Sequence, residues 1–246
     1  MPIQGVIFDL GWTLIRYTGN VPSTRRAGRQ ALVDSLVRER VVVEPAAFLA
    51  RFGERLEDYE RQRQSDFLEF TMAWVVAETL KDLGLHPATA TQINHSVREL
   101  YAVIERHWQA RPEAGAVLDE LAQSGLRMAM FSNAADEGDV RRLITQCGFD
   151  GRFDPILISA AMGIRKPNPR GFELILANWG ISPSAAVMVG DTLGADILGA
   201  QNAGVHNIWF DTGADTPGNL AHGDTIQPEF TAHSLGEVPA IIRAIP

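Results

Sequence analysis

The fold of this chain is decided by residues 3–14, whose sequence is IQGVIFDLGWTL. Residues 3–8 form a short, nearly continuous apolar run that ends at Asp9. Such a run is typical of a strand that helices cover on both faces of a parallel sheet. Similar runs predict further strands at residues 126–131, 156–158, 185–189 and 205–210.

Segments of helical periodicity separate these predicted strands. They are residues 114–123, 136–147, 170–179 and 196–202. Because strands that alternate with helices build βαβ units, we expect an α/β fold with a doubly wound, Rossmann-like parallel sheet. The Gly-, Asp-, Thr- and Pro-rich residues 211–223 predict a loop, followed by an edge strand at 228–232 and a closing helix at 235–244.

The alternation is interrupted between residues 16 and 110, where only helical patterns occur. They predict four helices, near residues 23–39, 45–63, 66–83 and 88–108. In the last of these, apolar residues from Ile93 to Trp108 recur at helical steps. We therefore expect two domains: a core of residues 1–15 and 111–246, and an all-helical cap of residues 16–110 inserted after the first strand.

Composition argues against several classes of protein. Among 246 residues, 22 Lys and Arg stand against 30 Asp and Glu, which gives a net charge of -8. An acidic chain without a basic run is a poor candidate for binding nucleic acid or an anionic membrane surface. No apolar stretch approaches the ~18 residues of a membrane span, no signal peptide is recognisable, and the single cysteine, Cys147, excludes an internal disulfide. We expect a cytoplasmic protein, and the sequence leaves open whether it forms a homo-oligomer.

Polar residues follow four of the predicted strands, directly or after a short loop. They are Asp9, Ser132 with Asn133, Lys166, and Asp191 with Asp196. Ligands of open α/β sheets bind at the carboxyl ends of the strands, so these side chains are predicted to share one site. Three carboxylates would then face one ammonium, which is costly unless a cation joins them, and oxygen ligands favour Mg²⁺.

The same residues lie in motifs that resemble those of the haloacid dehalogenase-like (HAD) hydrolase superfamily, in the branch with a helical cap after the first motif. Residues 8–14, 132–133, 165–167 and 190–196 resemble its four motifs in order. The resemblance covers about residues 3–18 and 111–210, and the cap matches in position and helicity only. It implies a hydrolase, and most simply a Mg²⁺-dependent phosphatase that acts on a small phosphorylated metabolite.

The resemblance also implies a role for each residue. Asp9 would attack phosphorus and form an aspartyl-phosphate, while Ser132 and Asn133 would bind the phosphoryl group or orient the substrate. Lys166 would neutralise charge on the nucleophile and in the transition state. The implied metal site consists of Asp9, the backbone carbonyl of Gly11, Asp191 and Asp196, the last of which would act through the metal's waters or through Lys166.

The first motif departs from the family pattern at two positions. Phosphatases of the family usually carry a second Asp two residues after the nucleophile, as general acid and then base, and this chain has Gly11 there; the Gly that commonly follows is Trp12. The carbonyl of Gly11 still suits a metal, but no proton donor remains, and general acid–base catalysis is worth ~10²–10⁴ in rate. We therefore expect slow or selective turnover, on substrates with good leaving groups such as acyl or aryl phosphates. Trp12 is predicted either to pack under the cap or to line the leaving-group pocket.

Other interpretations stay open. Dehalogenases of the family also lack the second Asp, although they need no metal. A phosphonate-cleaving branch uses a cap lysine, for which Lys81 is the candidate here. A protein of another class, which binds a phosphorylated ligand with little turnover, is the third interpretation. Substrate identity would depend on the cap, where Arg16, Arg25 and Arg26 are candidate contacts.

Overall fold

The computed structural model describes residues 2–42, 44–85, 88–213 and 216–246. The strands among these residues are β1 (Gly5–Phe8), β2 (Ile15–Tyr17), β3 (Trp108–Ala110), β4 (Arg127–Ser132), β5 (Ile156–Ile158), β6 (Ala186–Gly190), β7 (His206–Phe210) and β8 (Phe230–Ala232). Six of them form one sheet in the order β5-β4-β1-β6-β7-β8, and every neighbouring pair is parallel. The predicted doubly wound parallel sheet is confirmed, with each predicted strand within two residues of its observed bounds.

The helices among the described residues are α1 (Val21–Arg38), α2 (Pro45–Asp66), α3 (Met72–Asp82), α4 (Ala90–Glu105), α5 (Ala114–Gln123), α6 (Glu137–Gln146), α7 (Ser159–Met162), α8 (Arg170–Trp179), α9 (Leu198–Asn202), α10 (Pro217–Leu220) and α11 (Val238–Ala244). A turn of π-helix, Leu193–Ile197, precedes α9. Helices α5 and α8 begin and end at the predicted residues. Within the described residues, none of the helices combines the length and the apolar character that crossing a bilayer requires.

Strand β1 lies at the centre of the sheet and is buried on both faces. Val6 and Phe8 pack against α5, α6 and α11 on one face, whereas Ile7 packs against α8 and α9 on the other. Side chains alternate between the faces of a strand, so an uninterrupted apolar run is what a doubly covered strand requires. The central position of β1 places Asp9, the next residue, in the middle of the carboxyl edge of the sheet.

Helices α1–α4 pack around a hydrophobic core of their own, which includes Leu32, Phe52, Val76 and Val97. Local signals fix where these helices begin. The side chain of Asn20 accepts a hydrogen bond from the Ser23 N–H at 3.0 Å at the start of α1, and a capping box formed by Thr89 and Gln92 starts α4. The four helices predicted between residues 16 and 110 are confirmed, although α3 begins at Met72, six residues after its predicted start.

Two features differ from the sequence predictions. Helix α4 ends at Glu105, and Trp108 lies in β3, which pairs antiparallel with β2 through Tyr17 opposite Trp108. Trp108 falls at a position that continues the helical period of α4, but its ring packs against Tyr17 of β2. A ring that packs in a helix and one that packs in a strand give the same apolar signal here, so periodicity does not distinguish the two. The predicted loop at 211–223 contains α10, and its residues 214–215 lie outside the described residues.

Candidate active site

Three buried carboxylates converge at the carboxyl edge of the sheet. Asp9 follows β1, and its N–H donates to the carbonyl of Val189 in the neighbouring strand β6 at 3.0 Å. Asp191 follows β6 directly, and Asp196 lies in the π-helical turn after it. One carboxylate oxygen from each Asp lies within 4.8 Å of the others. The structure therefore brings together the three acids that the strand-end pattern predicts.

Lys166 is buried among these acids. Its Nζ lies 2.7 Å from Asp9 Oδ1 and 2.6 Å from Asp196 Oδ1, and it donates to the carbonyl of Phe131 at 2.6 Å. Only 1% of the lysine side chain is exposed. A buried ammonium requires such partners, so Lys166 and the two carboxylates stabilise one another.

The second motif lies at the end of β4, the strand beside β1. Ser132 is the last residue of β4 and is buried. The Asn133 side chain donates to the carbonyl of Lys166 at 3.0 Å and accepts from its N–H at 2.9 Å. This pair of hydrogen bonds fixes the backbone of Lys166 relative to β4, so the second and third motifs form one unit.

The turn that carries Asp191 is held by residues that sequence reasoning did not single out. Thr13 Oγ1 lies 3.4 Å from Asp191 Oδ1, and the Asp191 carbonyl accepts from Trp209 Nε1 and Asn219 Nδ2, each at 2.9 Å. Asn219 also accepts from the N–H of Leu193 at 2.9 Å. Thr13 lies inside the first motif, which was a usable signal, but Asn219 lies in the predicted loop, where no local pattern marks it.

Gly190 is required by the position of Asp196. A β-carbon at residue 190 would lie 2.4 Å from Cγ of Asp196, closer than real contacts allow. The Asp196 carboxylate occupies this space because its Oδ2 accepts from the Thr192 N–H at 2.9 Å while Oδ1 pairs with Lys166. Both Asp196 oxygens are thus engaged within the protein.

The cluster carries more negative than positive charge, and its acids titrate accordingly. Burial raises the pKa of Asp9 to about 6, although Lys166 opposes the effect. Burial and the neighbouring carboxylates of Asp9 and Asp196 raise the pKa of Asp191 to about 8. Burial lowers the pKa of Lys166, but Asp196 and Asp9 outweigh it, so that pKa is raised above its ordinary value. The donor set consists of oxygens with excess negative charge, which fits a hard divalent cation such as Mg²⁺.

The two positions that depart from the family pattern differ in conformation. A β-carbon at Gly11 would lie 3.8 Å from Cη2 of Trp108, an ordinary van der Waals contact, so a side chain fits there. Trp12 has a φ of 62°, in the left-handed region that favours glycine. Its ring lies against Trp108 and Tyr17, with centroids 5.3 and 6.1 Å away, and 41% of the residue is exposed. Trp12 thus packs against two rings while part of its own ring stays exposed, and its role towards a leaving group stays a prediction.

Comparison with known proteins identifies the family. Residues 3–204 match the family model described as haloacid dehalogenase-like hydrolase. The chain belongs to the haloacid dehalogenase-like hydrolases. The resemblance inferred from the motifs is confirmed, and the protein is an enzyme, a hydrolase whose relatives include named phosphatases.

Two curated relatives of this HAD-like hydrolase illustrate the similarity. The phosphoserine phosphatase of Thermus thermophilus is 34% identical over 153 residues, which span 59% of this chain and 59% of that protein. The glyceraldehyde 3-phosphate phosphatase of Pyrococcus furiosus is 24% identical over 256 residues, 99% of this chain and 93% of that protein. The match to the Thermus enzyme thus spans less than two thirds of its length.

Solved structures show that the whole fold is shared. The 2-haloacid dehalogenase from Pseudomonas syringae pv. Tomato DC3000 matches with a TM-score of 0.66 at 24% identity, over 98% of each chain. A HAD-hydrolase from Bacillus subtilis, bound to magnesium, matches with a TM-score of 0.61 at 18% identity, over 98% of this chain and 99% of that chain. At these identities the similarity concerns the fold alone.

Proposed function

We propose that this HAD-like hydrolase is a Mg²⁺-dependent phosphatase that acts on a small phosphorylated compound through Asp9. The observation that carries the proposal is the buried ammonium of Lys166, which bridges Asp9 and Asp196 beside Asp191. This arrangement suits a carboxylate nucleophile and a negatively charged substrate. The phosphatase names of the relatives support the same reaction class.

The proposed reaction has two steps. The Asp9 carboxylate attacks phosphorus, and the bond from phosphorus to the leaving oxygen breaks with its electron pair on that oxygen. Water then attacks the phosphorus of the aspartyl-phosphate, which restores the carboxylate and releases inorganic phosphate and a proton. Lys166, 2.7 Å from Asp9, balances the charge of the nucleophile and the transition state. Ser132 and Asn133, at the end of β4, bind the phosphoryl oxygens.

Mg²⁺ would be held by Asp9, Asp191 and the backbone carbonyl of Gly11. Asp196 acts through Lys166, because both of its oxygens are already engaged by Lys166 and the Thr192 N–H. The cation supplies positive charge that lets a phosphate dianion approach three carboxylates. Protons compete with it, because the pKa values of Asp9 and Asp191 are raised to about 6 and about 8.

We also propose that residues 16–110 form a cap domain over a core of residues 1–15 and 111–246. The segment after α2 and the first residue of α3 contact the core next to the second and third motifs. The N–H of Glu69 donates to Gly163 at 3.0 Å, and the N–H of Met72 donates to Ala135 at 2.8 Å. A cap in this position excludes water from the site and opens for product release.

Two observations weigh against the alternative reactions. A dehalogenase needs no metal, so a cluster of three carboxylates around one lysine would be an unrelieved cost. Phosphonate cleavage would require Lys81 near the substrate, yet the Lys81 side chain is 75% exposed and lies 3.5 Å from Glu78.

Hydrolysis of 4-nitrophenyl phosphate tests the proposal, in Mg²⁺ and in EDTA. Nitrophenolate leaves without a proton, so this substrate does not need the acid that Gly11 lacks. We expect turnover by the wild type in Mg²⁺ only, and a loss of at least ~10³-fold in Asp9→Asn. Asp34→Asn, an exposed change of the same kind on α1, is the control and keeps wild-type activity.

Each contrary outcome points to a different alternative. Full activity in Asp9→Asn would show that Asp9 is not the nucleophile. Chloride release from 2-chloropropionate in EDTA, without phosphatase activity, would indicate a dehalogenase. Tight phosphate binding without turnover on any ester would favour the binding protein.

A further inference from the structure

A cavity of about 1050 Å³ lies between the helices and the sheet. Its wall includes Trp12 and Asn133 at the active site and reaches Arg25 and Arg29 on α1. This volume is at the upper end of small-molecule pockets, and it is much larger than a phosphoryl group needs. The cavity therefore has room for a substantial leaving group, and the residues that line it indicate the chemistry of that group.

The part of the wall nearest the active site is aromatic. Trp12, Tyr17 and Trp108 all line the cavity, and the Trp12 and Tyr17 rings meet the Trp108 ring edge-on, at centroid distances of 5.3 and 5.0 Å. The pairing of β2 with β3 sets Tyr17 opposite Trp108, so these two members of the cluster are anchored by backbone hydrogen bonds. Such a preformed aromatic surface suits a planar apolar ring in the ligand.

The α1 side of the cavity carries cations without protein partners. Arg25 and Arg29 are four residues apart, on one face of the helix, where like charges repel. Within the described part of the chain, no carboxylate lies within 4 Å of either guanidinium. Two other arginines of the same wall are paired instead: Arg61 with Asp58, and Arg63 with Glu60. The wall also includes three acids, Glu57, Glu60 and Asp139, and Glu60 is the one paired with Arg63. Arg25 and Arg29 therefore remain cations of the wall without an ion-pair partner among the described residues. An anionic group on the ligand is the complement of this surface.

We propose that the substrates are aryl phosphates that carry a second anionic group, with the ring against Trp12, Tyr17 and Trp108 and the anion at Arg25 and Arg29. This inference rests on the proposed phosphatase function. It agrees with the absence of a side chain at Gly11: a phenol has a pKa near ~10, so its anion leaves far more readily without a proton than an alkoxide does.

A matched pair of esters tests the substrate class: 4-(2-carboxyethyl)phenyl phosphate and its amide. Two methylenes separate the substituent from the ring, so the leaving phenols are equally good and the esters differ in charge alone. We expect kcat/KM for the carboxylate to exceed that for the amide by about 10- to 100-fold, mainly through KM. The double variant R25Q/R29Q is expected to abolish this preference, because it lowers kcat/KM for the carboxylate far more than for the amide. R38Q, on an exposed residue in the last turn of the same helix, is the control and keeps the preference.

The outcomes separate this inference from the function on which it rests. If 4-nitrophenyl phosphate is not hydrolysed, or is hydrolysed without Asp9, the proposed phosphatase function is wrong. If that hydrolysis is present, equal kcat/KM values for the two esters overturn only the substrate class. A preference that survives in R25Q/R29Q overturns the assignment of the anion to these arginines.

Discussion

Gly11→Asp is expected to convert this enzyme into a phosphatase that also hydrolyses alkyl phosphates. The structure accepts the change, because a β-carbon at residue 11 would make only an ordinary 3.8 Å contact with Trp108. The new carboxyl would lie two residues after Asp9, where phosphatases of the family carry their general acid. Burial and the neighbouring Asp196 carboxylate raise the pKa of Asp9 to about 6, although Lys166 opposes the effect. A further carboxyl next to this cluster of three acids would meet the same negative charge, which favours its protonated form.

The expected gain depends on the leaving group. A positioned general acid contributes ~10²–10⁴ in rate, so kcat/KM for an alkyl phosphate should rise by about that factor. Hydrolysis of 4-nitrophenyl phosphate should change little, because nitrophenolate needs no proton. Steady-state kinetics on both esters in saturating Mg²⁺, with melting temperatures to verify folding, give the comparison.

Gly11→Asn is the matched control, since it has nearly the same shape and cannot donate a catalytic proton. A folded Gly11→Asp protein with no gain on alkyl phosphates would refute the view that the missing acid limits turnover. An equal gain in both variants would refute it as well, because the effect would then come from shape or polarity.

Three further predictions concern residues around Asp9, the proposed nucleophile. In EDTA, the raised pKa of Asp191 means that the folded protein binds a proton that the unfolded chain releases. The stability that this proton contributes is therefore present at low pH and is lost as the pH rises from about 4 to about 8. Between pH 5.5 and 7.5 the melting temperature of Asp191→Asn should therefore fall by roughly 3–8 °C less than that of the wild type. Equal falls in the wild type and the variant would contradict this. Asn219→Ala removes the hydrogen bonds that hold the Asp191 turn and should raise the Mg²⁺ concentration for half-maximal activity by about 10-fold; an unchanged value would mean that other contacts suffice. Glu69→Ala leaves the guanidinium of Arg165, whose side chain is 15% exposed, without its ion-pair partner and should cost at most about 3–5 kcal/mol in chemical denaturation. A smaller loss is expected for Glu69→Gln, and equal losses would contradict the charge argument.

The sheet and the cluster of Asp9, Lys166, Asp191 and Asp196 were predictable because both depend on local pattern. Apolar runs such as residues 5–8 identify strands that are buried on both faces, and the polar residues that follow them must meet at one edge. Strands β2 and β3 were not predictable in the same way. Each is three residues long and belongs to a two-stranded sheet, too short to establish a period against the helix that precedes Trp108.

The second group of missed features depends on contacts between segments far apart in the chain. Asn219 reaches Asp191 across 28 positions, and its surroundings in the sequence indicate only a turn. The unpaired state of Arg29 is visible only when the neighbouring helices are in place, so the candidates named from the sequence were Arg16, Arg25 and Arg26. The structure places Arg25 and Arg29 on the wall of the cavity. One turn of α1, and not adjacency in sequence, decides which arginines share a face.

Trp12 has an unusual backbone conformation and also lines the cavity next to the proposed active site. A non-glycine residue in the left-handed region costs about 1–2 kcal/mol, and such outliers occur mainly where the surrounding structure and function hold them in place. Ring contacts with Trp108 and Tyr17, at about 0.5–1.5 kcal/mol each, are large enough to offset that cost. Trp12→Gly would relax the backbone while it removes these contacts, so stability alone gives little reason for a tryptophan there. Its exposed ring on the wall of the cavity does give a reason under the proposed substrate class, because an aromatic leaving group would pack against it, three residues from Asp9.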